Sequence, residues 1–194
     1  MPNYLPISVP NNSRFMVFVD GENLSIRYKS YIKAKGIDQP DHVVYEENVY
    51  VWTQLANRHT HQLCKLIRSF YYTCARGDNE KIDSIHDRLK ECGISDPRVF
   101  KKSHNNRSKR VDITLATEML SHAFHNNYDV AVLVAGDEDY VPLVQEVKRT
   151  GKQVALWFFD DGLSKHLKRE CDIFLNIDFF LCQKIGDINK YLRG

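Results

Sequence analysis

The chain has 194 residues, 43% hydrophobic and 11% aromatic, which suffices for one sizeable core and is short for several domains. With 27 Lys and Arg against 25 Asp and Glu, the formal net charge of +2 neither demands nor excludes a polyanionic partner, so local clustering matters more. Five scattered cysteines (Cys64, Cys74, Cys92, Cys171, Cys182) argue against a zinc site or disulfide framework, and no run approaches the roughly 18 apolar residues of a membrane helix. Because the first residues also lack the basic start and apolar stretch of a signal peptide, a soluble cytoplasmic protein with no membrane contact is expected.

Residues 1–13, with their prolines and the Asn11-Asn12-Ser13 cluster, read as an irregular arm. "RFMVFVDGEN" then predicts a short apolar strand, Phe15 to Val19, ended by Asp20-Gly21, and residues 22–35 predict a helix ending near Gly36. Between 37 and 65 the pattern is weaker. "NVYVW" alternates like a strand, and "TQLANRHTHQLCKLI" reads as a helix. "RSFYYTCA" is a second strand, and "NEKIDSIHDRLKECG" an amphipathic helix with Ile82, Ile85, Leu89 and Cys92 on one face. "PRVFKK" is a third strand, and Val111 to about Asn126 a helix marked by Ile113, Ala116, Leu120, Ala123 and Phe124. Val130 to Ala135 has the continuous apolar character of a strand buried on both faces. A helix from about Tyr140 to Thr150, the strand "QVALWFF", a helix near 162–170, the strand "IFLNI" and a polar tail at 183–194 complete the chain. This alternation implies an α/β fold over residues 14–182: a doubly wound, mainly parallel sheet with helices on both faces. In such folds ligands gather at the carboxyl ends of the strands.

Carboxylates collect at those ends. Asp20 follows the first strand, and Asp137, Glu138 and Asp139 follow the strand at 130–135. Asp112 lies in the first turn of the helix that precedes that strand. If the first and fourth strands are neighbours, Asp20 and Asp137 share one rim and Asp112 can approach them. Carboxylates held that close repel unless a proton or a cation intervenes, and hard divalent ions prefer such oxygens. Bland readings compete: Asp139 can cap the helix beginning at Tyr140, Asp112 can serve the helix dipole, and Asp160-Asp161-Gly162 reads as a turn. His59 and His61, two residues apart, do not share a helix face, and no histidine shows a recognisable orienting partner. "KKSHNNRSKR" places five basic side chains (Lys101, Lys102, Arg107, Lys109, Arg110) and no acid just before Asp112, where phosphates of a nucleic acid could be met. The D-x-D-x-T motif of haloacid-dehalogenase phosphatases is absent after the first strand.

Taken in order, "FVDGENL", "KRVDITLATEML", "VLVAGDEDYVPLVQEVKRTGKQVALWFF" and "LSKHLKRECDIFLNI" resemble the NYN domain, a branch of the PIN-like nucleases, over about Arg14 to Leu181. The resemblance implies a metal-dependent endoribonuclease using Mg²⁺ or Mn²⁺. It assigns the metal to Asp20, Asp112 and Asp137, makes Asn23 a partner that orients a carboxylate or a water, and offers Asp139 as a further acid. PIN-like enzymes often carry one more acid on an early helix, for which Asp78 and Asp83 are candidates. RNA, single-stranded or structured, is the implied partner, and a homodimer is a compatible assembly. The alternative is a domain of the same type that recruits RNA or proteins without cutting.

Overall fold

Strands rich in β-branched and aromatic residues alternate with helices along the chain, and the computed structural model describes residues 12–57, 65–102 and 109–192. The strands are β1 (Arg14–Asp20), β2 (Val44–Glu46), β3 (Tyr50–Trp52), β4 (Lys65–Ala75), β5 (Asp96–Lys101), β6 (Val130–Val134), β7 (Gln153–Phe158) and β8 (Ile173–Asn176). The helices are α1 (Gly21–Lys35), α2 (Asn79–Glu91), α3 (Lys109–Phe124), α4 (Val141–Arg149), α5 (Lys165–Glu170), α6 (Asp178–Leu181) and α7 (Ile185–Leu192). Six strands form one sheet in the order β5-β4-β1-β6-β7-β8, and every pairing in it is parallel. Strands β2 and β3 make a separate antiparallel hairpin.

The order reverses beside β1. The chain runs outward from β1 through β4 to β5, then crosses to β6 and runs outward again through β7 to β8. Helices therefore cover both faces, which is the doubly wound arrangement. Val17, Val19 and Tyr71 pack on one side with Leu24 and Tyr28 of α1, Ile85 and Leu89 of α2, and Trp52 of the hairpin. Phe18, Tyr72 and Leu133 pack on the other with Leu115 and Met119 of α3 and Val144 and Val147 of α4. Every residue of β6 is buried, as expected for a central parallel strand.

Two local readings change. Of the segment read as a helix after "NVYVW", Gln54–Asn57 is helical, residues 58–64 lie outside the described residues, and Lys65–Ile67 open β4 instead. The cause is tertiary: Arg14 pairs with Lys65 and Phe15 with Leu66, so the ladder to β1 overrides local propensity. His59 and His61 lie outside the described residues, as do residues 1–11 of the expected arm. The segment read as a polar tail contains α7, whose Ile188 is fully buried in the main core.

A clamp closes the amino edge of the β1–β6 pair. Asp129, just before β6, accepts hydrogen bonds from the main-chain N of Arg14 at 2.8 Å and from its Nη2 and Nε at 2.7 and 3.2 Å. The Arg14 hydrogen bonds hold the Asp129 carboxyl at about 2, below its ordinary 3.8. A carboxyl depressed on folding stabilises above its unfolded pKa, and that contribution is lost as pH falls through about 2. Asp129→Asn is therefore expected to cost about 1 kcal/mol at pH 7, a value reduced for partial exposure. Thermal unfolding should show mutant and wild type converging near pH 2; a difference that persists there would mean the charge is not what matters.

Candidate functional site

Asp20 ends β1 and starts α1. It is 3% exposed. Oδ1 accepts the main-chain N–H of Asn23 at 3.1 Å, capping the helix, and Oδ2 accepts the Tyr140 hydroxyl at 2.8 Å. Two glycines let the acid-bearing loops hug the sheet. A Cβ on Gly21 would stand 2.1 Å from Cε1 of Tyr71, and one on Gly136 would stand 2.1 Å from Cε1 of Phe158. Asn23 ties the loops together, because its Oδ1 accepts the Gly136 N–H at 2.9 Å. The expected role of orienting a carboxylate or a water thus changes. The main chain of Asn23 holds Asp20, while its side chain holds the loop that carries Asp137.

Tyr140, in the short 3-10 turn Glu138–Tyr140, is 4% exposed and brings two acids to one hydroxyl. The phenolic oxygen lies 2.8 Å from Asp20 Oδ2 and 3.4 Å from Asp112 Oδ1. A hydroxyl has one proton to donate, so the shorter contact takes it and Asp112 is left poorly satisfied. Burial pushes the Asp20 carboxyl up to about 7; the Asn23 N–H and the Tyr140 hydroxyl oppose the rise, and the charges of Asp112 and Asp137 add to it. Asp112 is also raised, by burial first, against the Tyr140 hydrogen bond, and with repulsion from Asp137, Glu22 and Asp139. Tyr140 itself is raised well above the ordinary phenol value by burial and these anions, so it stays a donor. The sequence hides this role, since Tyr140 there looks only like the first apolar residue of a helix.

Asp137 and Asp139 are exposed on the same turn, and among the described residues neither carboxylate accepts a hydrogen bond. Asp139 caps no helix, so its bland reading falls away: the cap position of α4 is Tyr140, without a side-chain bond. Glu138 is turned to Ser164 Oγ at 3.2 Å and His166 Nδ1 at 3.0 Å, an orienting partner for a histidine that spacing could not reveal. Asp78 caps α2 through the Lys81 N–H at 2.9 Å, and exposed Asp83 lines a groove between α2 and the hairpin with Glu46 and Tyr50. Another acid on an early helix, Glu22, lies two residues after Asp20 in the first turn of α1, and its charge reaches Asp112. In "DGEN" it reads as favourable first-turn charge, and so it escapes notice.

Of the basic run, Lys101 ends β5 in solvent, and Lys102 pairs with Glu22. The guanidinium of Arg110 lies 4.6 Å from the Phe100 ring centroid. Arg107 and the side chain of Lys109 lie outside the described residues.

Among the described residues no three His, Cys, Asp or Glu side chains are drawn into a ready cage for an ion. Asp20 and Asp112 form an open pair with Asp137 in repulsive range, and no described cation pairs with any of the three. Such a set suits Mg²⁺ or Mn²⁺, because Mg²⁺ keeps several waters and asks for only one or two carboxylates beside substrate phosphate. Without metal, the folded chain keeps the Asp20 proton to about pH 7, whereas the unfolded chain releases it near 3.8. Metal-free stability is thus expected to fall as pH rises from about 4 to about 7 and then level off, by a few kcal/mol at about 1.4 kcal/mol per unit. Urea unfolding in EDTA at pH 5 and pH 8 measures this, and Asp20→Asn should remove most of the difference. A mutant with the wild-type slope would place the titration elsewhere.

A family model described as NYN domain matches residues 14–178. A crystal structure of a Vibrio parahaemolyticus protein of unknown function aligns with TM-score 0.64 and 20% identity, covering 91% of this chain and 100% of that one. That likeness supports the fold alone. Comparison with curated proteins gives no match. The match from residue 14 to residue 178 takes in β1, the acidic rim and the whole parallel sheet: the chain belongs to the NYN domain family.

Proposed function

We propose that the chain is a metal-dependent endoribonuclease, hydrolysing RNA phosphodiester bonds at the rim formed by Asp20, Asp112 and Asp137. NYN domains fall within the PIN-like nuclease superfamily, whose members are generally hydrolases and typically use divalent metals. The observation that carries the proposal is the pair Asp20 and Asp112 on one hydroxyl, with Asp137 adding repulsion and no described cation paired to any of them. The fold uses Asp20 as a helix cap, but it gains nothing from bringing the carboxylates of Asp112 and Asp137 into repulsive range of it.

In this reading Asp20 and Asp112 hold Mg²⁺ or Mn²⁺, with Asp137 reaching in from the exposed turn and Asp139 supporting it. When bound, the ion supplies a nucleophilic water of lowered pKa and charge for the leaving oxygen. Tyr140 keeps Asp20 aimed, and Asn23 fixes the spacing between the Asp20 turn and the Asp137 loop. Lys101 and Arg110 would meet phosphates of the substrate, with Arg107 and Lys109 continuing the same basic run. The free thiols Cys74, Cys92, Cys171 and Cys182 fit a reducing compartment, in keeping with a cytoplasmic enzyme. No described helix is long and apolar enough to cross a membrane.

The direct test is cleavage of a labelled single-stranded RNA with Mg²⁺ or Mn²⁺ against an EDTA control. RNA that binds but stays intact at every metal concentration would make the chain a binding module instead. Asp137→Asn should lower cleavage at least about 100-fold while leaving metal-free stability unchanged or higher, because the repulsion it relieves is worth about 1 kcal/mol at surface-like dielectric. Added Mg²⁺ should raise the melting temperature of wild type more than that of the mutant. Normal cleavage by Asp137→Asn would make it a structural residue.

Neutralising Lys101, Arg107, Lys109 and Arg110 together should weaken RNA binding and flatten its salt dependence by about 1 in log–log slope for each phosphate no longer neutralised. An unchanged slope would show that the run is a solvated loop. Lys102, the fifth basic residue of the run, is left out of that set because its removal would also break the ion pair with Glu22 and mix two effects.

A further inference from the structure

Glu22 and Lys102 are not accounted for by the rim as described. Glu22 follows Asp20 by two residues in the first turn of α1, and its side chain is 12% exposed. Both of its oxygens are occupied: Oε1 by the ammonium of Lys102 and Oε2 by the thiol of Cys74 at 3.1 Å. Its charge nevertheless reaches Asp112, whose carboxyl it helps to raise. Lys102 stands immediately after β5, at the carboxyl edge of the sheet, with its main-chain N–H on the Ala75 carbonyl at 2.8 Å. Its backbone is therefore pinned while its four-carbon stem can swing. The side chain is 26% exposed, so the ammonium meets solvent on one side and Glu22 on the other.

A partly buried ion pair is a weak source of stability, because desolvation offsets most of the attraction. This one joins the acidic rim to the start of the basic run. A lysine ammonium is a compact point charge with three donors, equally suited to a carboxylate or a phosphate oxygen.

We propose that Glu22 and Lys102 form a substrate-sensing latch. With no RNA bound, Lys102 holds Glu22 away from the ion that Asp20 and Asp112 would share. A phosphate of the bound strand draws Lys102 to itself and frees the Glu22 carboxylate for that ion. Both residues are positioning residues, and the latch rests on the nuclease reading given above. By linkage, RNA and metal then each tighten the binding of the other by the same factor.

The experiment is Mn²⁺ binding by calorimetry, without RNA, for wild type, Lys102→Met, Glu22→Gln and the double variant. The metal-free melting temperature of each verifies folding, and Lys102→Gln serves if Met does not fold. Lys102→Met is expected to bind Mn²⁺ on the order of tenfold more tightly than wild type, within the usual range of coupling between sites. In the Glu22→Gln background the same change should alter affinity by less than about twofold, since no carboxylate is left to release. A cleavage-resistant 2′-O-methyl oligoribonucleotide should tighten Mn²⁺ binding to wild type and leave Lys102→Met unaffected.

Tightening that persists in the Glu22→Gln background would reduce Lys102 to bulk charge and overturn the latch. Equal affinity of wild type and Lys102→Met would overturn it as well. In both of those cases wild type still binds Mn²⁺, so the nuclease reading stands. Absence of Mn²⁺ binding in all four proteins would remove the latch and the metal-dependent reading together.

Discussion

The parallel ladder between β1 and β6 pairs Phe15 with Val130 and runs in step to Val19 and Val134. Side chains on a strand alternate between faces, so a slip of one residue would send Val17 and Val19 to the wrong core and turn Asp20 away from Tyr140. Two contacts oppose that slip from opposite edges. At the amino edge Asp129 grips Arg14, and at the carboxyl edge Asn23 grips Gly136. Neither lies within the ladder, yet both fix its register, and the geometry of the rim follows from it. The residues that make the acids meet are thus mostly not acids.

The same ladder explains why the carboxylates stand where the topology reverses. Beside β1 the connections leave in opposite directions, α1 over one face and α3 over the other, which leaves the β1–β6 carboxyl ends as a crevice between the described helices. Asp20 enters from β1, Asp112 from the first turn of α3, and Asp137 from the loop after β6. Three segments remote in sequence converge because the sheet order gives them a common edge. The glycines after β1 and β6 lower that edge, since any side chain there would collide with Tyr71 or Phe158.

Much of this is legible from the chain alone, for a physical reason. A strand buried on both faces is a run of apolar residues, so an acid at its end stands out, as with Asp20 and Asp137. Features that depend on partners far along the chain are not legible. Tyr140 meets Asp20 across 120 residues, and Lys102 meets Glu22 across 80. Neither spacing follows from helix or strand periodicity. The opening of β4 reads wrongly as helix because its strand state comes from pairing with β1 rather than from local preference. The helix at the end of the described chain escapes a local reading because Lys184, Asp187 and Lys190 give the segment a polar cast, although Ile185, Ile188 and Leu192 recur at helical spacing.

Asp20 serves three structural demands at once: it ends a central strand, caps the first helix and receives the buried Tyr140 hydroxyl. Asp112 and Asp137 stand toward solvent, and the fold asks little of them. The acids of the rim are therefore unequal under drift. In a descendant freed from whatever chemistry the rim performs, changes at positions 137 and 112 would accumulate early, while position 20 would be retained for the helix it begins. The first-strand aspartate, the most visible residue of the motif, is for that reason the poorest witness to activity among related chains. The exposed carboxylates across the rim are the better ones.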